Sequence, residues 1–600
     1  MNDIYDYIKT EEASFQTKEV QVGDNWLWSL RNHVQMIFHL KNGMFFTGEN
    51  NWLRAFKNIM EPILDLCYWT EDIDVKDVMF FIEGEGKKPL SFLLKKYHNE
   101  VYTREHDLDT LFDEITESDI DYGGVLVQKG AKRPEVLQLN SLAFCDQTDM
   151  LGGPIGLKFH FTPTKLRSLK SLGWGETKNG ATISIEDLII LADSQKSVDG
   201  TTGDVKKNDV TGKTIEVYVV RGDMPESLLK DDGDEEKSVS QVQVVAFYAD
   251  EKGNKQGVTL YRKEASKTDL LFFASKKVYM RALGRGIGER LVGPQIWTNF
   301  LSIHKMSLLE AAAKVPLYTD DASFSQKNKI QEMENLEITK IEDGKRIFQV
   351  PTAAPANIQL YEGDINSWYS HAQLSGSAFD PIMGVQATSG TTFKGQERTV
   401  AQGRGSHDKR RGQRAKFIEQ LYREFIIPDM VKEINRGTKF LADLTGEELT
   451  WISDRFATNE TNRRIAQATL DKRSVTPEEQ AAIKEFIKGE FLKKGNRHLL
   501  KILKDEFDGI EIKVGINIAG KQKNVAELSD KLLSIFQFIF QNPTGFQQAM
   551  QIPALARSFE NLLEMGNMSI GDFSSLLQAP AQVQAPIQAQ PQQMQAPNQA

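Results

Sequence analysis

Cysteine is almost missing: Cys67 and Cys145 are the only two in 600 residues. Two thiols cannot build a disulfide framework or a cysteine-rich metal site, so both are expected in apolar cores of a protein made in a reducing cytoplasm. Long apolar runs are missing too. The longest uncharged stretch ahead of the C-terminal tail, Leu532–Ala556, carries several glutamines, an asparagine and two prolines, and does not read as a membrane span. Met1–Glu12 holds acids and no apolar run, unlike a signal peptide. A positive excess is missing: 73 Lys and Arg face 83 Asp and Glu, a net charge of −10. That excludes a chain basic throughout, but not a local basic surface.

Catalytic patterns are equally scarce. None of the nine histidines stands at ligand spacing from another histidine or a cysteine, so no metal or cofactor is expected. Gly284-x-Gly286-x-Gly288 lacks the glycine spacing and later acid of a dinucleotide turn. Gly390–Gly395 resembles a P-loop, but Gln396 and Glu397 stand where Lys and Ser or Thr are needed. There is no nucleophile elbow and no acid cluster of the metal-dependent nuclease kind, so an enzyme is not expected.

What is present is an ordinary globular mixture, 40% apolar and 26% charged, long enough for about three to five structural units at roughly 100–200 residues each. The first hundred residues read as helical, with Trp26, Leu30, Val34 and Ile37, then Trp52, Phe56, Ile59, Ile63 and Leu66, at three- and four-residue spacing. Strands are expected at Gly123–Val127, Glu135–Leu139, Ile215–Val220, Val242–Tyr248, Val258–Arg262 and Ile510–Ile518. After Leu283 a long helix runs to Lys314 with apolar residues on two faces. Trp297, Leu301, Leu308 and Ala312 line one, and Ile296, Phe300 and Ile303 the other, the pattern of a helix packed between two neighbours. A short polar helix, Gln326–Leu336, precedes a hairpin turning at Asp343-Gly344 between Ile338–Ile341 and Arg346–Val350. A second helix is expected over Ile365–Phe379, a mobile loop over Gly384–Gly395, a long helix over Gln396–Asn435, and helices over Val525–Leu577. The last 23 residues hold nine Gln, six Ala and four Pro without charge, too little apolar surface for a core.

One stretch opposes the acidic balance. Lys394–Lys416 carries eight basic residues against Glu397 and Asp408, a local net of +6. It reads either as a solvated or ion-paired helix face or as a set of phosphate contacts, without interleaved aromatics for base stacking.

The order of pieces from Leu283 to Pro428 resembles the portal proteins of tailed double-stranded DNA bacteriophages, most of all those of short-tailed phages, the crAss-like group included. The residues that carry the resemblance are Gly284-Arg285-Gly286 leading into a long helix with Pro294, Asn299 and Ala311-Ala312-Ala313; the Asp343-Gly344 hairpin; Ile365–Phe379; Gly384–Gly395; and Glu397-Arg398-Thr399 followed by a long helix with Phe425-Ile426-Ile427-Pro428. No single motif is specific; the ordered series is.

The resemblance implies an α+β portal fold: a helical and β wing (1–283), a two-helix stem (284–314 and 365–379), a small α/β clip (315–364), a tunnel loop (380–396), a long wing helix (397–437), the rest of the wing (438–524), a helical crown (525–577) and a disordered tail (578–600). It implies a ring, twelve copies, at one capsid vertex. Genome packaging and ejection would run through its channel. Partners would be double-stranded DNA, terminase, the major capsid protein and head-completion, adaptor or tail proteins, with no membrane. Location would be the virion, after assembly in the host cytoplasm. Stem contacts between copies would fall on Trp297, Phe300, Leu301 and Leu308, and clip contacts with partners on Asp343, Gly344 and Lys345. Thr391, Thr392, Lys394 and Arg398 would approach DNA, while Arg410, Arg411 and Arg414 would be structural. The competing readings are another virion structural protein without a channel, or a nucleic-acid-processing enzyme.

Overall fold

The computed structural model describes residues 4–43, 56–82, 88–130, 133–193, 214–230, 233–234, 236–249, 255–265, 269–313, 317–323, 341–349, 355–378, 393–436, 446–471, 473–494 and 512–516, with 534, 537 and 541. The expected polar helix at Gln326–Leu336, most of the loop over 380–396, nearly all of 525–577 and the tail lie outside these. The chain divides into two units, Met1–Asp72 with Leu108–Leu421, and Ile73–Asp107 with Tyr422–Ala600.

The first unit is built on a five-stranded antiparallel sheet. Its order is Lys255–Glu264, Ser238–Ala249, Ile215–Pro225, Ile155–Phe161 and Leu142–Phe144. Consecutive buried residues such as Val244, Val245 and Ala246 show that its central strands are covered on both faces. Helices Ile4–Thr17 and Ile185–Asp193 join that core, with Tyr5 edge-on to Phe247 at 4.9 Å between centroids. A second sheet orders Leu270–Ala274, Gly124–Gln128 and Glu135–Leu137.

A second core holds the helical part together. Ile37, Ile63, Leu64 and Cys67 meet Ile120, Ile287, Leu291 and Ala372, from five helices. From this core rises a long hairpin of two helices, Ile287–Ala313 and Pro355–Gly376. Ile287 lies by Gly376, Trp297 stacks on Trp368 and Lys305 pairs with Glu362, so the helices run antiparallel. The first has 27 residues and spans on the order of 40 Å. A two-stranded ladder, Leu317–Thr319 with Ile347–Gln349, continues the same register beyond the helix ends.

Several expectations are corrected here. The region before residue 100 is not all helix. Val20–Gln21 pairs with Leu27–Trp28, and Trp26 is exposed ahead of the helix Leu30–Lys41, which Ser29 caps through Asn32 N–H. The second hairpin helix begins at Pro355 rather than Ile365, because proline is tolerated in a first turn. The turn at Asp343-Gly344 is real, with Gly344 at φ 80°, and Ile347–Gln349 pairs with Leu317–Thr319; the expected first arm lies outside the described residues except for Ile341. The long helix begins at Phe393, which puts Lys394 in the helix and not in a loop.

The second unit pairs Val78–Ile82 antiparallel with Ile512–Ile516 and adds helices Lys88–Tyr97, Ile427–Arg436, Gly446–Leu470 and Pro477–Lys494. Two π-helical turns occur in it, His98–Tyr102 and Tyr422–Ile426. The second ends two residues before Pro428, whose nitrogen cannot donate to the preceding turn.

Candidate functional site

Local chemistry explains how the hairpin is rooted. The glycines of Gly284-x-Gly286-x-Gly288 do not cradle a nucleotide. A Cβ on Gly286 would stand 2.6 Å from Gly123 N and 2.7 Å from Asp121 O, and one on Gly284 would collide with Ser275 O. Backbone is pressed on backbone, which only glycine permits. The first helical turn is then clamped. Arg281 donates to both Glu289 oxygens, at 3.1 and 3.0 Å, and lies over the Trp28 ring at 4.6 Å. Gln295, fully buried, accepts from the N–H groups of Ile59 and Met60 at 2.9 and 3.0 Å and donates to Lys57 O at 2.8 Å. It caps the start of helix Met60–Glu71 together with Asn58 Oδ1, which accepts from the Met60 and Glu61 N–H groups at 3.2 and 3.1 Å.

Below the hairpin, the long helix Phe393–Leu421 docks through buried charge. Arg414 has no exposure and bridges two carboxylates, donating to Glu71 Oε2 at 3.0 Å and to Asp119 Oδ2 at 2.8 Å. Arg410 donates to Glu71 Oε1 at 2.7 Å. His407 Nδ1 lies 2.8 Å from the same oxygen, while its Nε2 reaches Ser377 O at 3.0 Å. Burial alone would raise the Glu71 carboxyl; the hydrogen bond to His407 and the charges of Arg414 and Arg410 outweigh it and hold it at about 2. Ser377 at φ 59° ends the second hairpin helix, so His407 ties that end directly to the long helix while Glu71 holds the other side of its ring. The basic stretch is therefore split as its helical spacing implies: Arg414 faces inward, Arg410 is half-buried, and Arg411 pairs with Asp408 at 2.8 Å.

The distal hairpin is the opposite case. From Asn299 to Glu310 no side chain is buried, and none is from Ile358 to Asp364. Trp297 and Phe300 are each 49% exposed, and Ile296, Met306, Leu309 and Leu360 are exposed with them. Trp297 stacks on Trp368 at 6.0 Å and 9° and meets Phe300 edge-on at 5.7 Å. Leu301 and Leu308 are half-buried. The candidate contact residues thus share one hairpin and one unfinished apolar surface.

The tip is ordered by a residue the sequence did not single out. Asp321, 3% exposed, accepts from Ser323 N–H at 2.8 Å and from Glu342 N–H at 3.2 Å, holding the two arms together. Lys345 donates to Asp320 O at 2.8 Å. Tyr318 and Phe348, directly opposite in the ladder, stack at 5.1 Å and remain exposed. Lys394 and Arg398 lie in the first two turns of the long helix, and Thr391 and Thr392 lie outside the described residues.

Among the described residues no group of histidines, cysteines and acids could hold a metal, and no helix is long and apolar enough to cross a membrane. No protein-family model matches the chain. No curated protein matches it in sequence. Similar solved structures include the virion of a native gene transfer agent particle, with 10% identity and a TM-score of 0.28 over 79% of this chain and 98% of that one. Another is the neck of an empty gene transfer agent particle computed with C6 symmetry, with 9% identity and a TM-score of 0.32 over 88% and 93%. At those TM-scores the likeness carries no weight here.

Proposed function

We propose that this chain is the portal subunit of a tailed-phage-like virion, a ring-forming structural protein whose channel passes double-stranded DNA. The observation that carries the reading is the uncovered hairpin. A pair of helices with apolar side chains on its outer faces, and no side chain buried over 299–310 or 358–364, leaves unused in a lone chain the tertiary packing that mainly stabilises helices in proteins. Copies of the same hairpin on either side supply that packing, and a head-to-tail contact that closes gives a ring. The hairpin then corresponds to the stem, the Leu317–Gln349 ladder and its exposed Tyr318–Phe348 pair to the clip, and the sheet-bearing remainder to the wing. In this reading Trp297, Phe300, Leu301 and Leu308 meet the neighbour. Asp343, Gly344 and Lys345 present the tip to terminase and connector proteins, and Lys394 and Arg398 approach the DNA.

Imaging of the purified chain in negative stain tests this, together with its mass by sedimentation. Rings with a central hole are expected. Twelve copies of the 67.8 kDa chain give about 814 kDa, that is 12 × 67.8. A monodisperse monomer at high concentration would overturn the ring and with it the channel.

A further inference from the structure

Five cations share one patch of the first unit without an equal number of acids. Lys276 stands in the loop after the strand Leu270–Ala274 with φ of 41°, and its carbonyl accepts the N–H of Arg285 at 3.2 Å. Arg290 lies in the first turn of the hairpin helix that follows, and Lys409 and Arg410 come from the long helix. These groups feel one another. Arg290 first, then burial, then Arg285, Lys409 and Arg410 push the Lys276 ammonium below its usual range. Burial, then Arg410 and Arg285, do the same to Arg290, against the attraction of Glu289 and Glu71. Two nearby carboxylates are already engaged. Glu71 serves Arg410, Arg414 and His407, and Glu289 serves Arg281, with Arg285 only at 4.0 Å. Among the described residues no carboxylate lies within ion-pair distance of Lys276, Arg290 or Lys409.

Gathering like charges costs folding stability, more so for partly desolvated groups, and this chain carries ten more acids than bases with which it could have neutralised them. The loop that carries Lys276 and Arg285 is held in place, because Gly284 and Gly286 are pressed on Gly123. Clustered cations with fewer paired carboxylates than charges suit a polyanion from outside the chain.

We propose that Lys276, Arg285, Arg290 and Lys409 form a contact for the phosphate backbone of duplex DNA, distinct from Lys394 and Arg398. Lys409 lies fifteen residues beyond Lys394 along one helix, on the order of 22 Å, so the two contacts sit at different levels. The duplex as occupant rests on the channel reading above; the demand of the patch for phosphate-like counter-charge does not.

The test uses the full chain carrying Lys276→Gln, Arg290→Gln and Lys409→Gln together. A second triple variant, Lys18→Gln with Lys165→Gln and Lys170→Gln, removes exposed lysines elsewhere. Binding of a short random-sequence duplex is followed by fluorescence anisotropy across a salt series. The patch variant is expected to flatten the slope of log affinity against log salt by about 0.9 per cation removed, and the control to leave it unchanged. Arg290→Lys keeps the charge and should keep the slope. An unchanged slope in the patch variant, or equal flattening in the control, overturns the proposal. An unchanged slope with loss of large assemblies also rejects it, and assigns the cations to acidic side chains of a second copy. Absence of rings in the parent would remove the channel reading, while the salt slope would still decide the patch.

Discussion

At the scale of single residues, the decisive group is a guanidinium with no solvent exposure. Arg414 bridges two carboxylates from two other helices, and with Arg410 it balances their charge. Arg414→Met would leave Glu71 and Asp119 buried with one charge too many, at a cost of about 3–5 kcal/mol. Chemical denaturation should show that loss, and Arg414→Lys should recover only part of it, since one ammonium cannot bridge both carboxylates in the same plane. Full stability in Arg414→Met would mean that the cluster is not closed in solution. The sequence hinted at half of this: residues at successive helical positions cannot face one way, so part of the basic run had to be structural. Nothing local pointed to Glu71 or to Gln295 as partners, because both act across hundreds of residues.

At the scale of elements, the hairpin and its tip separate assembly from partner binding. Trp297→Asp or Leu301→Asp changes a side chain that a lone chain leaves partly exposed, so each folded monomer should survive. In a ring the new carboxylate would be buried between copies, costing several kcal/mol per site. Sedimentation should show loss of large assemblies with the monomer's melting temperature nearly kept. Intact rings in both variants would move the contact off this helix. Gly344→Val puts a β-branched residue at φ 80°, roughly 1–2 kcal/mol of backbone strain or more, in otherwise open space. Rings should persist while binding of terminase or connector proteins weakens; unchanged binding of both would place the docking surface elsewhere. The helix from Leu283 was legible because its two-faced apolar pattern is local. The pairing of Ile347–Gln349 was not, because the turn before it signals a reversal but not which strand closes the ladder. Leu270–Ala274 escaped notice for a related reason: a strand covered on both faces has no alternation to read.

For the whole molecule, acid is the clearest probe, since each unit buries a neutral histidine. In the second, His98 has no exposure. Its Nδ1 bonds Asn99 Oδ1 at 2.8 Å and its Nε2 meets Tyr422 Oη at 2.7 Å, and burial, against that Asn99 bond, pushes it down to about 4. In the first, burial pushes His33 down to about 4, against the attraction of Glu289. A histidine kept neutral when folded takes its proton more readily when unfolded, so stability falls as pH drops from about 6.5 to about 4. For His98 the loss is about 3 kcal/mol. Glu71, held near 2, adds its loss only below about pH 4.5, as the unfolded carboxyl protonates first. Denaturation across this range should show both windows. His98→Gln keeps an acceptor for Tyr422 and cannot titrate, so it should flatten the upper window; a parental slope in that variant would show that His98 is solvated in solution.

The sequence by itself determined which short motifs the chain lacks and where its long helices lie. Missing ligand spacings, a missing P-loop lysine and two-faced apolar periodicity are all written within a few turns of chain. Tertiary structure decided which charges meet, which strands pair and which cations stay unneutralised. Those outcomes depend on contacts between residues far apart in the chain, and a buried charge takes its meaning from whichever partner the fold brings within about 3 Å of it.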